Sequence, residues 1–435
     1  MDIKEHFLKK ALERRKNRLQ EKNNQTPKAF NSKQSSINHL KKFCDFEHYD
    51  AYQSIVNKQK FSKKFQIDNP YFLSHEGIAA ATTSINGHSL INFSSYNYLN
   101  LNGDPRVSHA AKEAIDRYGT SASASRLVAG ERPIHQELEY ALAKLYRVED
   151  ALIFVSGHAT NVTTIGYLFG PKDLVIHDEL IHNSILEGIK LSGAFRLSFA
   201  HNNWEALDKL LYARRHQFER VLIVIEGIYS MDGDYPELPE FIEIKKKHHA
   251  FLMVDEAHSL GTMGVQGRGI GEFFNINAHD VDLWMGTLSK TLASCGGYIA
   301  GCRALVEHLR YTAPGFLYSV GMSPSLAAAS LKAIEIMLNE PERITRLHAR
   351  AGEFLKQAKL AGLNVGLSQG LNIIPVLYKS SKKAVEIANK MQSNGINVQP
   401  IIYPAVPDNQ ARLRFFMNSD HTSEQIRATI EGLVS

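Results

Sequence analysis

The sequence lacks a long apolar run, and it is poor in cysteine and proline. No segment approaches the roughly 18 consecutive apolar residues that a membrane-spanning helix needs. The three cysteines, Cys44, Cys295 and Cys302, form neither a CxxC pair nor a Cys/His ligand pattern. The first residues also lack the apolar core of a secretion signal. We therefore expect a cytoplasmic protein without a transmembrane segment, a disulfide framework or a bound metal, whose 435 residues suffice to bury a stable core.

Positive charge is concentrated at one end of the chain. Residues 1–64 contain 16 Lys and Arg against 7 Asp and Glu, whereas the remaining residues contain 34 against 38. Because a nucleic-acid binder would spread basic charge over a folded face, we expect no nucleic-acid partner. Residues 2–22 show the spacing of a basic amphipathic helix. This helix could be a solvated helix that packs on the body of the protein or on a partner subunit. Alternatively, it could bind an acidic partner such as an acyl carrier protein.

The middle of the chain alternates short β-rich runs with segments of helical periodicity. This alternation predicts an α/β domain with a mostly parallel sheet and helices on both of its faces. A hairpin with an Asn86-Gly87 turn is predicted over residues 77–93. We predict a basic arm, linker and hairpin at 1–90, a large α/β domain at 91–330, and a small C-terminal α+β domain at 331–435. The β-rich runs of the large domain are 151–155, 174–177, 221–226, 251–255, 282–286 and 298–300.

Three of these runs end in groups that could do chemistry. One run ends in Glu226, another in Asp255 followed by His258, and a third in Thr287, with Lys290 close behind. Such residues converge at the carboxyl edge of a parallel sheet. An amine beside a carboxylate and an imidazole is what a pyridoxal phosphate site requires. Taken alone, Lys290 could equally be a surface lysine, and Asp255 a helix cap or a Mg²⁺ ligand.

Two further segments are candidates for the same edge. Ser156-Gly157-His158 lies between a predicted strand and a predicted helix, so its backbone N–H groups could hold a phosphate. Thr287 and Ser289, next to the lysine, could anchor the same group. His182 follows the next strand, where an imidazole could stack on a cofactor ring or bind a metal. No third and fourth zinc ligand stands at a recognisable spacing.

In combination, these segments resemble the α-oxoamine synthases, a family of fold-type I pyridoxal phosphate enzymes with the aspartate aminotransferase-like fold. The resemblance covers roughly residues 90–430. It is carried by the phrases FSSYNYLNL (93–101), SASASRLVAGERPIHQELE (121–139), SGHATN (156–161), HDELIHNSILEG (177–188), EGIYSMDGDYPEL (226–238), VDEAHSLGTMGVQGRG (254–269), GTLSKTLASCGGYIAG (286–301) and ARLRFFMNSDHT (411–422).

The resemblance implies roles for individual residues. Lys290 would form the Schiff base and take the α-proton, Asp255 would pair with the pyridine nitrogen, His258 would donate to the ring oxygen, and His182 would stack on the ring. Arg414 would hold the amino-acid carboxylate through both of its oxygens. The remaining implied cofactor contacts are Gly157, His158, Glu226, Ser230, Thr287 and Ser289, with Ser319 reaching the phosphate of the neighbouring subunit in a homodimer and Asn97 contacting the substrate.

The implied reaction joins serine, glycine or alanine to an acyl thioester, on coenzyme A or an acyl carrier protein, with loss of CO₂. The Tyr96-Asn97-Tyr98 order and the phrase EGIYSMDGD slightly favour a serine palmitoyltransferase-like member. Against this, Ile402 stands where the bacterial serine palmitoyltransferases carry an arginine. Two alternatives remain open: an aminotransferase that uses the same cofactor, and a non-catalytic subunit of an active partner.

Overall fold

The computed structural model describes residue 40 and residues 43–64 and 68–435. The amphipathic helix predicted at residues 2–22 lies outside these residues. The described residues divide into two compact units, one that ends at Asn69 and one that spans residues 70–435. In the first unit, helix α1 spans Asp50–Lys64 and ends in two lysines, a favourable position for positive charge at a helix C-terminus.

The predicted hairpin is present at the start of the second unit. Strands β1 (Thr82–Ile85) and β2 (His88–Asn92) pair antiparallel. The two turn residues, Asn86 and Gly87, both have positive φ, at 53° and 77°. These values fit a two-residue turn in which asparagine and glycine are the favoured residues. Strand β2 then pairs in parallel with β11 (Ile396–Asn397), which connects the hairpin to the C-terminal part of the unit.

Seven strands within residues 68–435 form the central sheet, in the order β3-β9-β8-β7-β6-β4-β5. All neighbours pair in parallel except β9, which is antiparallel to both β3 and β8. The prediction of a mostly parallel sheet is therefore confirmed. The strands are β3 Asp150–Phe154, β4 Leu174–Asp178, β5 Phe195–Phe199, β6 Val221–Glu226, β7 Phe251–Asp255, β8 Leu283–Thr287 and β9 Gly297–Gly301.

The sheet separates two hydrophobic cores. In β6, Val221, Ile223 and Ile225 belong to one core, whereas Leu222 and Val224 belong to the other. All five side chains are fully buried. A strand covered on both faces is apolar throughout, which explains why this segment is a continuous run and does not alternate with polar residues.

Helices pack on the sheet and continue into the C-terminal region. The helices after α1 are α2 Pro105–Tyr118, α3 Pro133–Tyr146, α4 Gly157–Leu168, α5 Asn183–Ser192, α6 Trp204–Arg214, α7 Leu238–His248, α8 Ile270–Phe273, α9 Arg303–Thr312, α10 Pro314–Leu317, α11 Pro324–Asn339, α12 Glu342–Leu360, α13 Ser381–Ser393 and α14 Ser423–Val434. Among the described residues, none of the helices is both long enough and apolar enough to cross a membrane.

A second antiparallel sheet follows α12. Its strands β10 (Ile373–Leu377), β13 (Arg412–Phe416) and β12 (Gln399–Ile401) pair in the order β10-β13-β12. Helices α12 and α13 contact it. Through Arg414, strand β13 brings a side chain from this sheet to the carboxyl edge of the central sheet, as described next.

Candidate active site

The carboxyl ends of three adjacent strands lie side by side. Glu226 at the end of β6 is the register partner of Asp255 at the end of β7, and Asp255 is the partner of Met285 in β8. Thr287 ends β8, and Lys290 follows it within the next turn. Glu226 and Asp255 are both buried. The sheet register thus produces the convergence that the sequence predicts.

A cavity of about 400 Å³ lies at this edge. It brings together eleven of the thirteen predicted site residues, and Asn97 and Ser319 are the two that do not line it. The eleven are Gly157, His158, His182, Glu226, Ser230, Asp255, His258, Thr287, Ser289, Lys290 and Arg414. Among the described residues, no group of three or more His, Cys, Asp or Glu side chains could hold a metal ion.

The amine of Lys290 is buried in this cavity. Burial lowers the pKa of the amine to about 8, and the positive charge of Arg414 adds to the effect. The carboxylates of Asp255 and Glu226 oppose the shift without cancelling it. An amine whose pKa lies near neutrality is available both as a nucleophile and as a proton acceptor.

Asp255 is held in place by a residue that the sequence reasoning missed. Asn161 Nδ2 donates to Asp255 Oδ2 at 3.0 Å and to Ser184 Oγ at 2.9 Å. The other carboxylate oxygen, Oδ1, accepts the backbone N–H of Ala257 at 2.9 Å. Asn161 lies one helical turn after Gly157, so the i, i+4 spacing inside SGHATN indicates that the two share a helix face but does not indicate the contact with Asp255.

His258 is fully enclosed and bonded to a buried tyrosine. Its Nδ1 lies 2.7 Å from the hydroxyl of Tyr98. Burial, Lys290 and Arg414 lower the pKa of the imidazole well below its usual value. The ring is therefore neutral at physiological pH, and the Tyr98 hydroxyl fixes its orientation. Tyr98 is a second functional neighbour that the sequence reasoning did not select.

His182 begins helix α5 and is tied to both β6 and α4. Its backbone N–H donates to Glu226 Oε1 at 2.7 Å, and its Nδ1 lies 2.7 Å from Ser184 Oγ. The Ser184 N–H also donates to Nδ1, at 3.2 Å. Because Asn161 donates to the same serine hydroxyl, that hydroxyl can donate to Nδ1, which places the imidazole proton on Nε2. Burial lowers the pKa of His182 and raises that of Glu226, whose ionisation the neighbouring Asp255 also opposes.

The opposite end of the cavity is built from hydroxyls and a helix N-terminus. Ser156 caps α4 by accepting the Ala159 N–H at 3.0 Å. Thr287 Oγ1 lies 2.7 Å from Ser289 Oγ. A Cβ on Gly157 would lie 2.8 Å from Thr287 Oγ1, so only glycine allows this approach. First-turn N–H groups beside two hydroxyls form a suitable site for a phosphate.

Arg414 enters the cavity from strand β13. Its Nη1 donates to the carbonyl oxygen of Ser230 at 2.9 Å. Its guanidinium carbon lies 4.5 Å from the centre of the Phe416 ring. The Nε atom is buried and has no hydrogen-bond partner among the described residues. A buried guanidinium with an unused donor can still bind a substrate carboxylate.

A second cavity, of about 650 Å³, adjoins the first. The two cavities share Tyr96, Ser289 and Lys290. Lys290 Nζ lies 5.5 Å from the centre of the Tyr96 ring, so this tyrosine stands between the two spaces. Asn97 lines only the second cavity, and its amide nitrogen donates to the carbonyl oxygen of Ala79 at 2.9 Å.

Ser319 lies away from both of these cavities. It borders a small separate cavity together with Arg126 and Gly321. Its two chain neighbours, Tyr318 and Val320, are exposed. This position agrees with the expectation that Ser319 would act outside its own subunit's site, and that expectation stays a prediction.

The chain is similar in sequence to a known protein family and to individual relatives. Residues 88–433 match the aminotransferase class I and II family. A putative 8-amino-7-oxononanoate synthase of Rippkaea orientalis is 39% identical over 82% of this chain and 92% of its own. A serine palmitoyltransferase of Sphingobacterium spiritivorum is 35% identical over 84% and 90%.

Solved structures give the same two groups of relatives. The serine palmitoyltransferase of Sphingomonas wittichii superposes with a TM-score of 0.85 at 28% identity, over 90% of this chain and 97% of its own. The 8-amino-7-oxononanoate synthase of Francisella tularensis superposes with a TM-score of 0.70 at 26% identity, over 79% and 97%.

Proposed function

The chain belongs to the aminotransferase class I and II family, in its α-oxoamine synthase branch, and on that premise we propose that it condenses a small amino acid with an acyl thioester. A bond forms between the α-carbon of the amino acid and the carbonyl carbon of the thioester. The thiol leaves, the amino acid's carboxyl group departs as CO₂, and an α-amino ketone remains. The observation that carries this proposal is the buried Lys290 amine, which lines both the first cavity, where Arg414 can bind an amino-acid carboxylate, and the second cavity.

The cofactor is pyridoxal 5′-phosphate, which solved serine palmitoyltransferases also contain. The first cavity fits it: Lys290 supplies the amine, Asp255 the carboxylate for the ring nitrogen, and Gly157 the close approach at a helix N-terminus. When bound, this group stabilises negative charge at the α-carbon of an attached amino acid. We assign its phosphate to the first turn of α4 and to the hydroxyls of Thr287 and Ser289.

Side chains of the protein supply substrate binding, proton transfer and the remaining cofactor contacts. Arg414 holds the amino-acid carboxylate, and Lys290 accepts the α-proton, for which a pKa of about 8 is well placed. With the cofactor bound, neutral His258 would donate a hydrogen bond to its ring oxygen, and His182 would stack on its ring. The wall of the first cavity also includes Glu226, Ser230 and His158. Glu226 accepts the His182 N–H, and the carbonyl oxygen of Ser230 accepts a hydrogen bond from Arg414.

We assign the acyl thioester to the second cavity. Its walls combine apolar groups, including Leu73 and Ala293, with the side-chain amides of Asn92 and Gln399. A chain bound there meets the reacting carbon beside Tyr96, where the two cavities join. The serine palmitoyltransferase superposes with the higher TM-score, which supports the lean towards that activity, whereas the 8-amino-7-oxononanoate synthase of Rippkaea orientalis has the higher sequence identity.

An absorbance titration tests the assignment. The purified protein with pyridoxal phosphate is recorded while glycine, alanine and serine are added in turn, with Lys290→Ala as the control. We expect a band that depends on Lys290 and shifts with one of the three amino acids. A protein that shows no such band after addition of the cofactor would not be a catalyst, and the partner-subunit alternative would replace the proposal.

We also propose a homodimer in which Ser319 contacts the neighbouring site. The segment around Ser319 is flanked by the exposed Tyr318 and Val320, and Leu127 and Val128 are exposed on the turn beyond Arg126. The Gly321 N–H donates to Ala124 O at 2.9 Å, which keeps the two segments together. Tyr318→Asp should give a monomer in light scattering. A variant that remains dimeric would show that this face is not the interface.

The basic residues 1–64 support an acidic acyl donor, because an excess of nine positive charges attracts anions at low salt. Coenzyme A thioesters and acyl carrier proteins both satisfy this description. Deletion of residues 1–64 should raise the KM for the donor at low ionic strength, and the difference should shrink in about 0.5 M salt, where charges are screened within a few ångströms. An unchanged KM at low salt would exclude the steering role.

A further inference from the structure

His201 lies between two carboxylates just outside the cavity. Its Nδ1 is 2.9 Å from Asp178 Oδ1, and its Nε2 is 2.8 Å from Asp234 Oδ2. The side chain is 11% exposed, and the edge of the Tyr229 ring packs against it at 4.5 Å between centroids. Both ring nitrogens can donate to these two acceptors only when the imidazole is protonated. The two carboxylates raise the pKa of His201 to about 10 against the effect of burial, so the ring is charged at neutral pH.

Asp178 connects this charged ring to the segment that carries His182. The carboxylate is fully buried at the end of β4. Its Oδ1 accepts the Leu180 N–H at 2.9 Å, and its Oδ2 accepts the Asn202 N–H at 2.7 Å. The turn from Asp178 to His182 is therefore fixed at its first residues by the carboxylate that His201 neutralises.

Asp234 connects the same ring to the segment that supports Arg414. Its Oδ2 also accepts from Asn202 Nδ2 at 3.0 Å. Its backbone oxygen accepts the Tyr229 N–H at 2.9 Å, which closes the loop 229–234. The carbonyl of Ser230 within that loop is the acceptor for Arg414 Nη1. The position of Arg414 thus depends on a loop whose far end is bonded to His201.

We propose that His201 is a positioning residue that holds the 179–182 turn and the 229–234 loop together, so that His182 and Arg414 present a preformed site to the amino acid. His201 itself lines neither of the two cavities that meet at Lys290, and it acts through Asp178 and Asp234. Without the charged ring, the two carboxylates would repel each other and the segments would separate. The inference rests on the proposed function for the identity of the amino acid's site, while the coupling of the two segments is independent of it.

The test compares His201→Gln with His248→Gln. His248 is a matched control because it is also largely buried and also pairs with an aspartate, Asp208, at 2.6 Å, but this pair joins helices α6 and α7 and contacts neither the 179–182 turn nor the 229–234 loop. We expect His201→Gln to weaken amino-acid binding about tenfold in the absorbance titration, because small displacements of binding groups are costly. The KM for the acyl donor and the affinity for pyridoxal phosphate should stay close to those of the control.

Hydrogen exchange of the cofactor-free protein supplies a second readout. Peptides covering 179–182 and 229–234 should exchange faster in His201→Gln than in His248→Gln, while peptides covering Lys290 should not change. Asp234→Asn, which removes one carboxylate and keeps the volume, should show the same pattern and serves if His201→Gln does not fold. Unchanged amino-acid affinity in the two test variants, or unchanged exchange in these peptides, overturns the proposal. If the unmodified protein binds no amino acid, the proposed function fails, and the exchange experiment alone decides the coupling.

Discussion

The side-chain amide of Asn161 donates to the carboxylate of Asp255 across the interior, with Nδ2 and Oδ2 3.0 Å apart. Asn161 stands on helix α4, whose first turn would hold the phosphate, whereas Asp255 ends β7 and would pair with the ring nitrogen. This contact therefore links the two elements that would hold the two ends of the cofactor. It also gives one carboxylate oxygen of Asp255 a buried hydrogen-bond donor.

The Asn161 contact predicts a graded loss of cofactor binding. Asn161→Ala removes the donor, and Asn161→Asp places a second carboxylate against Asp255. We expect the dissociation constant of pyridoxal phosphate to rise about tenfold in the alanine variant, since a buried hydrogen bond to a charged group contributes roughly 1.5 kcal/mol or more. The aspartate variant should bind more weakly still. Equal affinity in all three proteins would show that Asn161 does not support Asp255.

The buried amine of Lys290 predicts a stability difference that depends on pH. The amine has a pKa of about 8 in the folded protein and about 10.5 when unfolded. Below pH 8 both states are protonated, and the folded state bears the cost of a buried charge. Between pH 8 and 10.5 only the unfolded state keeps the proton, so the folded state gains stability as the pH rises.

In the cofactor-free protein, Lys290→Met should therefore be more stable than the unmodified chain at pH 7. This advantage should shrink by up to about 3 kcal/mol between pH 8 and 10.5, as measured by urea denaturation. A constant difference across this range would mean that the amine is not held in a desolvating site.

The charged His201 predicts the opposite trend. Its pKa is about 10 in the folded protein, above the ordinary value of 6.5, so its stabilising effect is complete below pH 6.5 and is lost as the pH rises to 10. The groups that face it are Asp178, Asp234 and Tyr229, and burial keeps the tyrosine pKa well above this window. His201→Gln should destabilise the protein more at pH 6 than at pH 10 in thermal unfolding. A loss independent of pH would show that the ring is neutral.

Ala293 has an unfavourable backbone conformation near the active lysine. Its φ is 52°, in the left-handed region that residues with a Cβ rarely adopt, and it lines the second cavity. We expect Ala293→Gly to stabilise the protein by about 0.5 kcal/mol or more, because the relief of strain exceeds the extra entropy of the unfolded chain. The matched control is Ala361→Gly, at a partly buried alanine with a φ of −79°, which should be destabilising. If both variants lose stability, the strain at Ala293 is negligible.

Much of the candidate site could be predicted because strand ends are visible in the sequence. Glu226, Asp255 and Lys290 each follow an apolar run, and a parallel sheet brings the carboxyl ends of such runs to one edge. Asn161 and Tyr98 could not be selected in the same way. Their contacts to Asp255 and His258 depend on how a helix and a loop pack on the sheet, which the local pattern does not specify.

The segment around Asn97 also shows what the sequence pattern does not specify. The phrase Tyr96-Asn97-Tyr98 marks the right segment, but which of its side chains meets the first cavity and which meets only the second depends on the turn of the backbone. The structure directs Asn97 to the carbonyl of Ala79, and Tyr96 stands beside Lys290. The segment was therefore predictable from sequence, whereas the orientation of each residue within it was not.

The central claim is that the protein forms a carbon–carbon bond with loss of CO₂. The most direct measurement follows CO₂ release from a carboxyl-labelled amino acid together with free thiol from the acyl thioester. We predict one CO₂ for each thiol, no release of either without the second substrate, and no reaction in Lys290→Ala. Conversion of the cofactor to its amine form by an amino donor alone, without CO₂, would contradict the account and identify an aminotransferase.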